Sequence, residues 1–399
     1  MDKKNPAEVN ILFFISAYFI MFVTGLVVLS TGAILPEIVK EFNISYDMAG
    51  FLLSLQAIGH MSAVFISGVI SDFIGRKAVL VGGSLMVAIG FVGLVFVPSA
   101  TVLFILIFIS GCGWGTNNVI NSVMNDITGG STKHLNRLHM FFAVGALIAP
   151  FFVIFADILG MGWRIVGGTI GVLALCSAVL LMKIKISVVQ KTHEKQKEGK
   201  PRVSLEAFKH ARYYVFLLIA FTYVSTEAVM NGWITTYFQG TGILTNVQAK
   251  TILSLIWVSM MIGRIIGSII GDKVKKEYII LTCASIVLVF STVLIQLSSF
   301  ISIAVCIFAL GIGLSALYPT TLANSAILVK NSGIATGILL SSGGLGATVG
   351  PMVTGMVAEY LSLSASMWVS VGFAIILLLM TFINYIFAKS AKATVSTEQ

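Results

Sequence analysis

Twelve long apolar segments, separated by short polar turns, constrain what this chain can fold into more than any other feature. At about 1.5 Å of rise per residue, a helix of about 20 residues crosses a hydrocarbon core of about 30 Å. The segments lack the ten-residue alternation that is typical of membrane β-barrels. We therefore predict an all-α membrane protein with twelve transmembrane helices, over residues 11–35, 48–70, 78–97, 101–125, 138–159, 163–182, 213–238, 248–270, 278–297, 300–327, 333–359 and 365–387.

Composition agrees with this prediction, since 57% of the residues are hydrophobic and only 10% are charged. Soluble domains carry about 25% charged residues. The first segment is too long for the hydrophobic region of a signal peptide and has no small-residue cleavage site after it, so we expect it to be a spanning helix. The four cysteines lie inside apolar segments without CxxC spacing. They predict small core residues, and neither a disulfide framework nor a metal site.

The distribution of basic residues predicts the orientation of the helices. With the N-terminus inside the cell, 22 of the 25 Lys and Arg residues fall in cytoplasmic segments, and only Lys40, Arg164 and Lys250 do not. This is the asymmetry that the positive-inside rule describes. It accounts for the net charge of +9 without nucleic-acid binding. We predict a multi-pass protein of the cell membrane with both termini and the polar segment 183–212 in the cytoplasm.

Sequence landmarks repeat between the two sides of that polar segment. Each landmark in the second half follows its counterpart by 200 or 201 residues: GALIAP at 145–150 and GATVGP at 346–351, Asp72 and Asp272, and Gly111 and Gly113 with Gly311 and Gly313. A nearly constant offset indicates duplication, so we predict an N-terminal six-helix half (1–182), a cytoplasmic linker (183–212) and a C-terminal six-helix half (213–399). Two such repeats place a binding site between them, near the middle of the membrane.

Uncharged polar residues concentrate in the fourth, seventh and tenth predicted helices, whereas the third and twelfth are nearly all apolar. Helices rich in polar groups must face a wet cavity or one another. We therefore expect helices 1, 4, 7 and 10 to line a central cavity.

The most informative single residue is Glu227, which lies in the middle of the segment 213–238. A carboxylate at that depth costs about 3 kcal/mol or more to insert, so it should face protein or water and is a functional candidate by default. Tyr223 and Asn231 share its helix face at four-residue spacing. Glu227 could hydrogen-bond to hydroxyl groups of a solute or could carry a coupling proton. A structural carboxyl paired with a neighbouring helix is the alternative.

Further candidates are polar or aromatic residues of other helices. Asn117 and Asn121 share one face, and paired amides suit hydroxyl-rich ligands, although such amides also join helices. Trp233 could stack on the apolar face of a sugar ring, or could anchor a helix at the membrane interface. His60 could relay a proton, or could hydrogen-bond between helices. Gln56 is a weaker candidate for the cavity.

The turn after the second helix, Gly68-Val-Ile-Ser-Asp72-Phe-Ile-Gly75-Arg76-Lys77, resembles the GxxxDRxGRR loop motif of the major facilitator superfamily, with Phe73 in place of an Arg. A degenerate copy runs from Gly267 to Lys276. The resemblance implies the two-halved fold of that superfamily, a working monomer, and a gate that closes in only one conformation. The gating candidates are Gly68, Asp72, Arg76, Lys77 and Asp272, together with His139 near the cytoplasmic end of the fifth helix. A plain basic turn is the alternative.

A narrower resemblance points to the fucose–glucose–galactose permease family. Residues 135–150 (LNRLHMFFAVGALIAP) resemble its fifth helix, residues 223–237 its seventh and residues 317–320 its tenth. The members of that family are sugar:cation symporters and glucose permeases. Two acidic positions of its proton-coupled members correspond here to Gly32 and Asn117, which leaves Glu227 as the acid near mid-membrane.

These observations predict a secondary transporter that works by alternating access and is not an enzyme. We expect the solute to be a monosaccharide or polyol, and we expect no cofactor or metal. Co-transport with a proton, co-transport with sodium and uniport are the alternatives for coupling. The expected substrate-binding residues are Gln56, Asn117, Asn121, Tyr223, Glu227, Asn231, Trp233 and Tyr318, with Glu227 and His60 as candidates for proton coupling. Drug/proton antiport is the alternative function, although the amide-rich helices argue against a mainly apolar drug pocket.

Overall fold

A computed structural model describes residues 11–129, 132–184, 206–270, 273–329 and 332–397. Its first helices are α1 Ile11–Ala33, α2 Leu35–Phe42, α3 Tyr46–Ile74, α4 Arg76–Gly93, α5 Ala100–Asn117, α6 Val119–Ile127, α7 Thr132–Ile158 and α8 Gly162–Lys183. After a short 3₁₀ helix, Glu206–Lys209, follow α9 Ala211–Gly240, α10 Asn246–Ile270, α11 Lys276–Leu294, α12 Phe300–Val329, α13 Gly333–Tyr360, α14 Leu363–Ser366 and α15 Trp368–Thr397.

Twelve of these segments are long and apolar enough to cross a membrane, which confirms the predicted number. The fourth span consists of α5 and α6, which are separated at Asn118. The backbone tightens there, because the Asn118 N–H donates to the carbonyl of Gly115 and the Asn121 N–H donates to the carbonyl of Asn118. Glycine and asparagine have low helix propensities, so this polar stretch is a natural place for the helix to break.

The short helix α2 was not predicted. The first span ends at Ala33 rather than continuing to residue 35, and α2 begins at once with Pro36 in its first turn. Proline suits this position because its missing N–H would have no helical partner there. The helix ends at Asn43, which adopts the left-handed conformation with φ of 48°. Asparagine is one of the few residues other than glycine that accepts this conformation.

By internal packing the chain divides into two compact units. Unit one contains the described residues within 1–31 and 55–200, and unit two contains those within 32–54 and 201–399. The end of α1, all of α2 and the start of α3 therefore pack in unit two. The repeat-based division into 1–182, 183–212 and 213–399 stays a prediction.

Glycines allow the helices of unit one to approach closely. A Cβ atom added to Gly145 of α7 would lie 2.0 Å from the Phe22 carbonyl oxygen of α1. A Cβ atom added to Gly111 of α5 would lie 2.2 Å from the Gln56 carbonyl oxygen of α3. Both distances are far below van der Waals contact, so only glycine permits this backbone-to-backbone packing.

Unit two repeats these contacts at equivalent positions. A Cβ atom added to Gly346 of α13 would lie 2.2 Å from the Phe221 carbonyl oxygen of α9, and one added to Gly311 of α12 would lie 2.8 Å from the Ile256 carbonyl oxygen of α10. The contacting pairs follow those of unit one by about 200 residues, so the internal duplication predicted from sequence landmarks is also visible in the packing.

Candidate functional site

The candidate site of unit two is built on α9, which carries Tyr223, Glu227 and Asn231 on one face. Neighbouring α10 contacts this face where the indole Nε1 of Trp257 donates a hydrogen bond of 3.2 Å to Asn231 Oδ1. The side chain of Asn231 is thereby held in place by the adjacent helix.

This contact fixes the register between α9 and α10. The helices are joined by the short turn 241–245 and run in opposite directions. Moving from Asn231 back to Glu227 and Tyr223 on α9 therefore corresponds to moving forward from Trp257 to Arg264 on α10. Arg264 accordingly lies beside this part of α9, where its positive charge acts on both Glu227 and Tyr223.

Two tyrosines complete the arrangement. The Tyr223 hydroxyl is directed to the Glu227 carboxylate as a hydrogen-bonding partner. The ring of Tyr318, from α12, stacks on the ring of Tyr223 with centroids 5.5 Å apart and planes 17° apart. We call Tyr223, Glu227, Arg264 and Tyr318 the Glu227 cluster.

The residues of the Glu227 cluster differ in their exposure to solvent. Tyr223 is buried, with 3% of its surface exposed. Glu227 is partly exposed, and Arg264 is exposed although it belongs to a membrane-spanning helix. An acid, a cation and two phenols thus lie near one another on adjacent helices, where they can donate and accept hydrogen bonds and can hold or release a proton.

Arg264 was counted with the cytoplasmic basic residues and was not singled out as a site residue, although the predicted span 248–270 contains it. The structure places it inside α10, six residues before the helix ends at Ile270. Arg264 lies four residues after Met260 and seven residues after Trp257. This spacing places it on the protein-facing side of α10 and could have identified it as a site residue from the sequence.

Trp233 does not belong to the Glu227 cluster. Its side chain is fully buried, its Nε1 donates a 3.1 Å hydrogen bond to the Pro351 carbonyl oxygen, and Tyr46 lies 6.2 Å away between ring centroids. Both its ring and its donor are engaged within the protein. In this conformation Trp233 therefore packs helices and is not available to stack on a sugar ring.

Two of the three amide candidates of unit one, Gln56 and Asn117, contact neighbouring helices. Gln56 is buried and its Nε2 lies 3.1 Å from Thr31 Oγ1. Asn117 is buried and its Oδ1 accepts from the hydroxyl of Ser84 at 3.5 Å. Asn121 donates from Nδ2 to the Asn118 carbonyl oxygen at 3.2 Å, while its buried Oδ1 has no hydrogen-bond partner in the described structure. A ligand role of these residues stays a prediction, and that unsatisfied oxygen makes Asn121 the best supported of the three.

His60 lies in a small polar cluster with two residues of the fourth span. Its Nε2 is 3.0 Å from Asn118 Nδ2, and its ring stacks on Trp114 with centroids 3.8 Å apart. With Asn118 as donor, His60 is the neutral tautomer that accepts at Nε2. Asn118 was not singled out as a site residue from the sequence, and its contact with His60 is the reason it belongs here.

The turn between α3 and α4 holds the predicted gating residues. Arg76 forms an ion pair with Asp126 at the end of α6, and Lys77 Nζ donates to the Met182 carbonyl oxygen at 2.8 Å. Gly75 has a φ of 86°, a conformation that favours glycine.

The remaining gating candidates differ in what the structure says of them. Gly68, Asp72 and His139 are exposed. Asp272 lies outside the described residues. The gating role of the whole set stays a prediction.

Among the described residues, no group of three or more His, Cys, Asp or Glu side chains is arranged to hold a metal ion.

Similarities to known proteins agree with the twelve-helix fold described above. The model of the Major Facilitator Superfamily matches residues 17–326. The uncharacterized MFS-type transporter YfkL of Bacillus subtilis (strain 168) is 21% identical over 351 residues, which cover 86% of this chain and 88% of YfkL.

Two solved structures show the same fold. A crystal structure of a mutant of the nucleoside transporter NupG has a TM-score of 0.77 at 13% identity and covers 94% of this chain and 99% of its own. A crystal structure of a D-xylose–proton symporter has a TM-score of 0.69 at 13% identity and covers 94% of this chain and 96% of its own. At such low identities these neighbours establish the fold and not the substrate. With its twelve spans, its internal duplication and a family match over most of its length, the chain belongs to the Major Facilitator Superfamily of transporters.

Proposed function

We propose that this transporter moves a small hydroxylated solute, a monosaccharide, a polyol or a close derivative, by alternating access. In this proposal the Glu227 cluster forms part of the solute site, and Glu227 carries a co-transported proton. The narrower resemblance to the fucose–glucose–galactose permease family belongs to the same proposal.

The observation that carries the proposal is an acidic residue of intermediate exposure, Glu227, within a spanning helix and beside Tyr223 and Arg264. An acid in such a position is costly and is retained where a pathway or a relay uses it. Carboxylate and phenol oxygens accept and donate hydrogen bonds to hydroxyl groups, which are the main feature of sugars and polyols.

We assign proton coupling to the same residue because it is a titratable acid inside a spanning helix and is not completely buried. When Glu227 binds a proton, its carboxylate no longer offsets the positive charge of Arg264 in unit two. A ligand or a proton shifts a conformational equilibrium only by its difference in affinity for the two states. A charged carboxylate is more stable in the conformation that exposes it to more water. The two conformations would therefore differ in their affinity for the proton on Glu227. The solved D-xylose–proton symporter shows that this fold accommodates proton-coupled transport of a sugar.

A drug/proton antiporter is less consistent with the described site. The polar groups of the Glu227 cluster contrast with the mainly apolar and aromatic lining expected of a multidrug pocket. No contact in the described structure favours that function over the first.

Ligand-induced thermal stabilisation of the purified protein tests the proposal. Hexoses, polyols and lipophilic cations would be titrated against wild type, Glu227→Gln and the control Glu206→Gln, which removes an exposed carboxylate far from the cluster. A ligand that binds only the folded state raises the melting temperature by mass action. We expect a hexose, a polyol or a close derivative to stabilise wild type and the control, and Glu227→Gln to alter the pH dependence of that effect.

Two results would contradict the proposal in different ways. Stabilisation by lipophilic cations alone would replace the solute class with that of the antiporter. Stabilisation by a hexose that is identical in wild type and Glu227→Gln at every pH would keep the solute class and remove Glu227 from the mechanism.

A further inference from the structure

We infer that the transported solute carries one carboxylate group and that Arg264 binds it. This inference rests on the proposed function and narrows it, from hydroxylated solutes in general to monoanionic ones such as sugar acids. Three features support it: the position of Arg264, the absence of an ion-pair partner for Arg264 among the described residues, and the charge balance of the Glu227 cluster.

The guanidinium of Arg264 is exposed inside a membrane-spanning helix. Within the part of the chain that the structure describes, the ion pairs Arg76–Asp126, Arg212–Glu277 and Lys250–Glu37 involve other residues, and Arg264 has no carboxylate within ion-pair distance. An arginine in a membrane-spanning helix is costly to insert and normally marks a pathway or a partner. Its five N–H groups suit a carboxylate, which it can bind through two parallel hydrogen bonds.

The backbone that carries Arg264 is held rigidly against α12. A Cβ atom added to the adjacent Gly263 would lie 2.2 Å from Ser315 Oγ, and one added to Gly311 would lie 1.8 Å from Ser259 Oγ. Ser259 and Gly263 lie one turn apart on the same face of α10, so these close contacts fix the rotation of α10 against α12. Trp257 and Arg264 are seven residues apart and share another face, so Arg264 lies on the side of α10 that contacts α9 at Asn231.

Charge balance selects a monoanion. With Glu227 ionised, the Glu227 cluster is neutral, because the carboxylate offsets the guanidinium. With Glu227 protonated, the cluster has one positive charge and can take one carboxylate without leaving an uncompensated charge in the membrane. A phosphate ester carries nearly two negative charges at neutral pH and would leave one of them unbalanced. Proton and monoanion would thus bind together, and the loaded site would again be neutral.

The groups that act on Glu227 come from three helices: Tyr223 from α9, Arg264 from α10 and Tyr318 from α12. The other long helices packed on α9, together with the short helix α2, carry few charged or titratable side chains. Among the residues with described side chains in α2, α13 and α15, these are Glu37, Lys40, Glu41, Glu359, Tyr360, Tyr385 and Lys389. The pH dependence of solute binding in unit two is therefore expected to follow Glu227.

Matched pairs of neutral and acidic sugars test the inference. Binding to the purified protein would be measured by calorimetry for glucose and glucuronate, galactose and galacturonate, and sorbitol and gluconate, with glucose 6-phosphate as the dianion. The variants are Arg264→Gln, Arg264→Lys and the control Lys209→Gln, which removes the charge of an exposed residue on the 3₁₀ helix. Melting curves without ligand show whether each variant is folded.

We expect at least one sugar acid to bind wild type about 10- to 100-fold more tightly than its neutral counterpart, the range expected for charge-assisted hydrogen bonds. Arg264→Gln should reduce the affinity for the acid to that for the neutral sugar, Arg264→Lys should retain part of the difference, and Lys209→Gln should leave it unchanged. Binding of the acid should strengthen as the pH falls, and Glu227→Gln should remove that dependence.

Equal affinity for neutral sugar and sugar acid in wild type would overturn the inference while leaving the proposed function intact. Tighter binding of glucose 6-phosphate than of every carboxylate would also overturn it, because a cluster with one positive charge should not prefer a dianion. Binding of none of these compounds, together with stabilisation by lipophilic cations, would overturn the proposed function as well.

Discussion

The ammonium group of Lys250 lies 2.6 Å from Oε1 of Glu37, and the lysine side chain is completely buried. Glu37 belongs to α2 and Lys250 to α10, so the ion pair joins two elements of unit two. The same Oε1 also accepts from Asn246 Nδ2 at 3.4 Å, whereas the buried Oε2 has no hydrogen-bond partner in the described structure. A buried cation with an anionic partner predicts strong sensitivity to the loss of that partner.

Glu37→Gln should destabilise the protein by about 3 kcal/mol, because it removes the anionic partner of a buried ammonium group. Lys250→Met should cost less, since the Glu37 side chain that remains is partly exposed whereas the Lys250 side chain is not. Thermal unfolding of the purified protein measures both effects. The double variant Glu37→Gln/Lys250→Met should recover part of the loss. Additive losses in the double variant would show that the two side chains do not interact energetically.

Gly145→Ala should destabilise unit one, because its Cβ would meet the Phe22 carbonyl oxygen at 2.0 Å and force α1 and α7 apart. Gly82→Ala is the matched control, since nothing lies within 4 Å of a Cβ at that helical position. The control should be neutral or stabilising by up to about 1 kcal/mol, because alanine favours helix over glycine. Equal melting temperatures for the two variants would contradict the close packing of these helices.

Arg164 acts as a cap for the end of α4. Its guanidinium donates to the carbonyl oxygens of Leu94, Val95 and Val97 at 3.0 to 3.2 Å. Arg164→Lys keeps the charge but cannot present a planar fork to three acceptors, so we expect a loss of about 1–2 kcal/mol in stability. Thermal unfolding checks this, with Lys133→Arg as a control at an exposed position. A melting temperature equal to that of wild type would show that charge alone suffices.

Asp72→Asn should slow the transport cycle while leaving solute affinity within a few-fold of wild type, since the proposed gate acts on conformational exchange. Transport into proteoliposomes measures the cycle, and binding to the purified protein measures the affinity. Arg76 pairs with Asp126 in the same region, so Asp126→Asn should also slow the cycle. Loss of binding with unchanged turnover of bound solute would assign Asp72 to the solute site instead.

Hydropathy was sufficient to predict twelve spans, because segment length and apolarity are set by the bilayer and can be counted. The repeat could be predicted as well, since Gly111, Gly145 and their counterparts are required by backbone contacts that recur in both units. The short helix α2 was missed because a hydropathy window does not resolve a break between Ala33 and Leu35 within one apolar stretch.

The candidate site was only partly predictable. Glu227 stands out because an acid in a long apolar segment is rare. Arg264 did not, because counting basic residues by loop ignores which face of a helix they occupy. Trp233 was chosen for its residue type, and its burial against Pro351 depends on tertiary packing that sequence spacing alone does not reveal. Contacts between helices, such as the one between His60 and Asn118, are likewise set by packing.

The most direct test of the account is proton movement driven by solute. Proteoliposomes containing wild type or Glu227→Gln, with a pH indicator inside, would receive external sugar or sugar acid without any other gradient. We predict internal acidification that follows solute entry in wild type, and solute exchange without acidification in Glu227→Gln. Acidification of equal size in both proteins, or solute entry in wild type without any proton movement, would contradict the central role of Glu227.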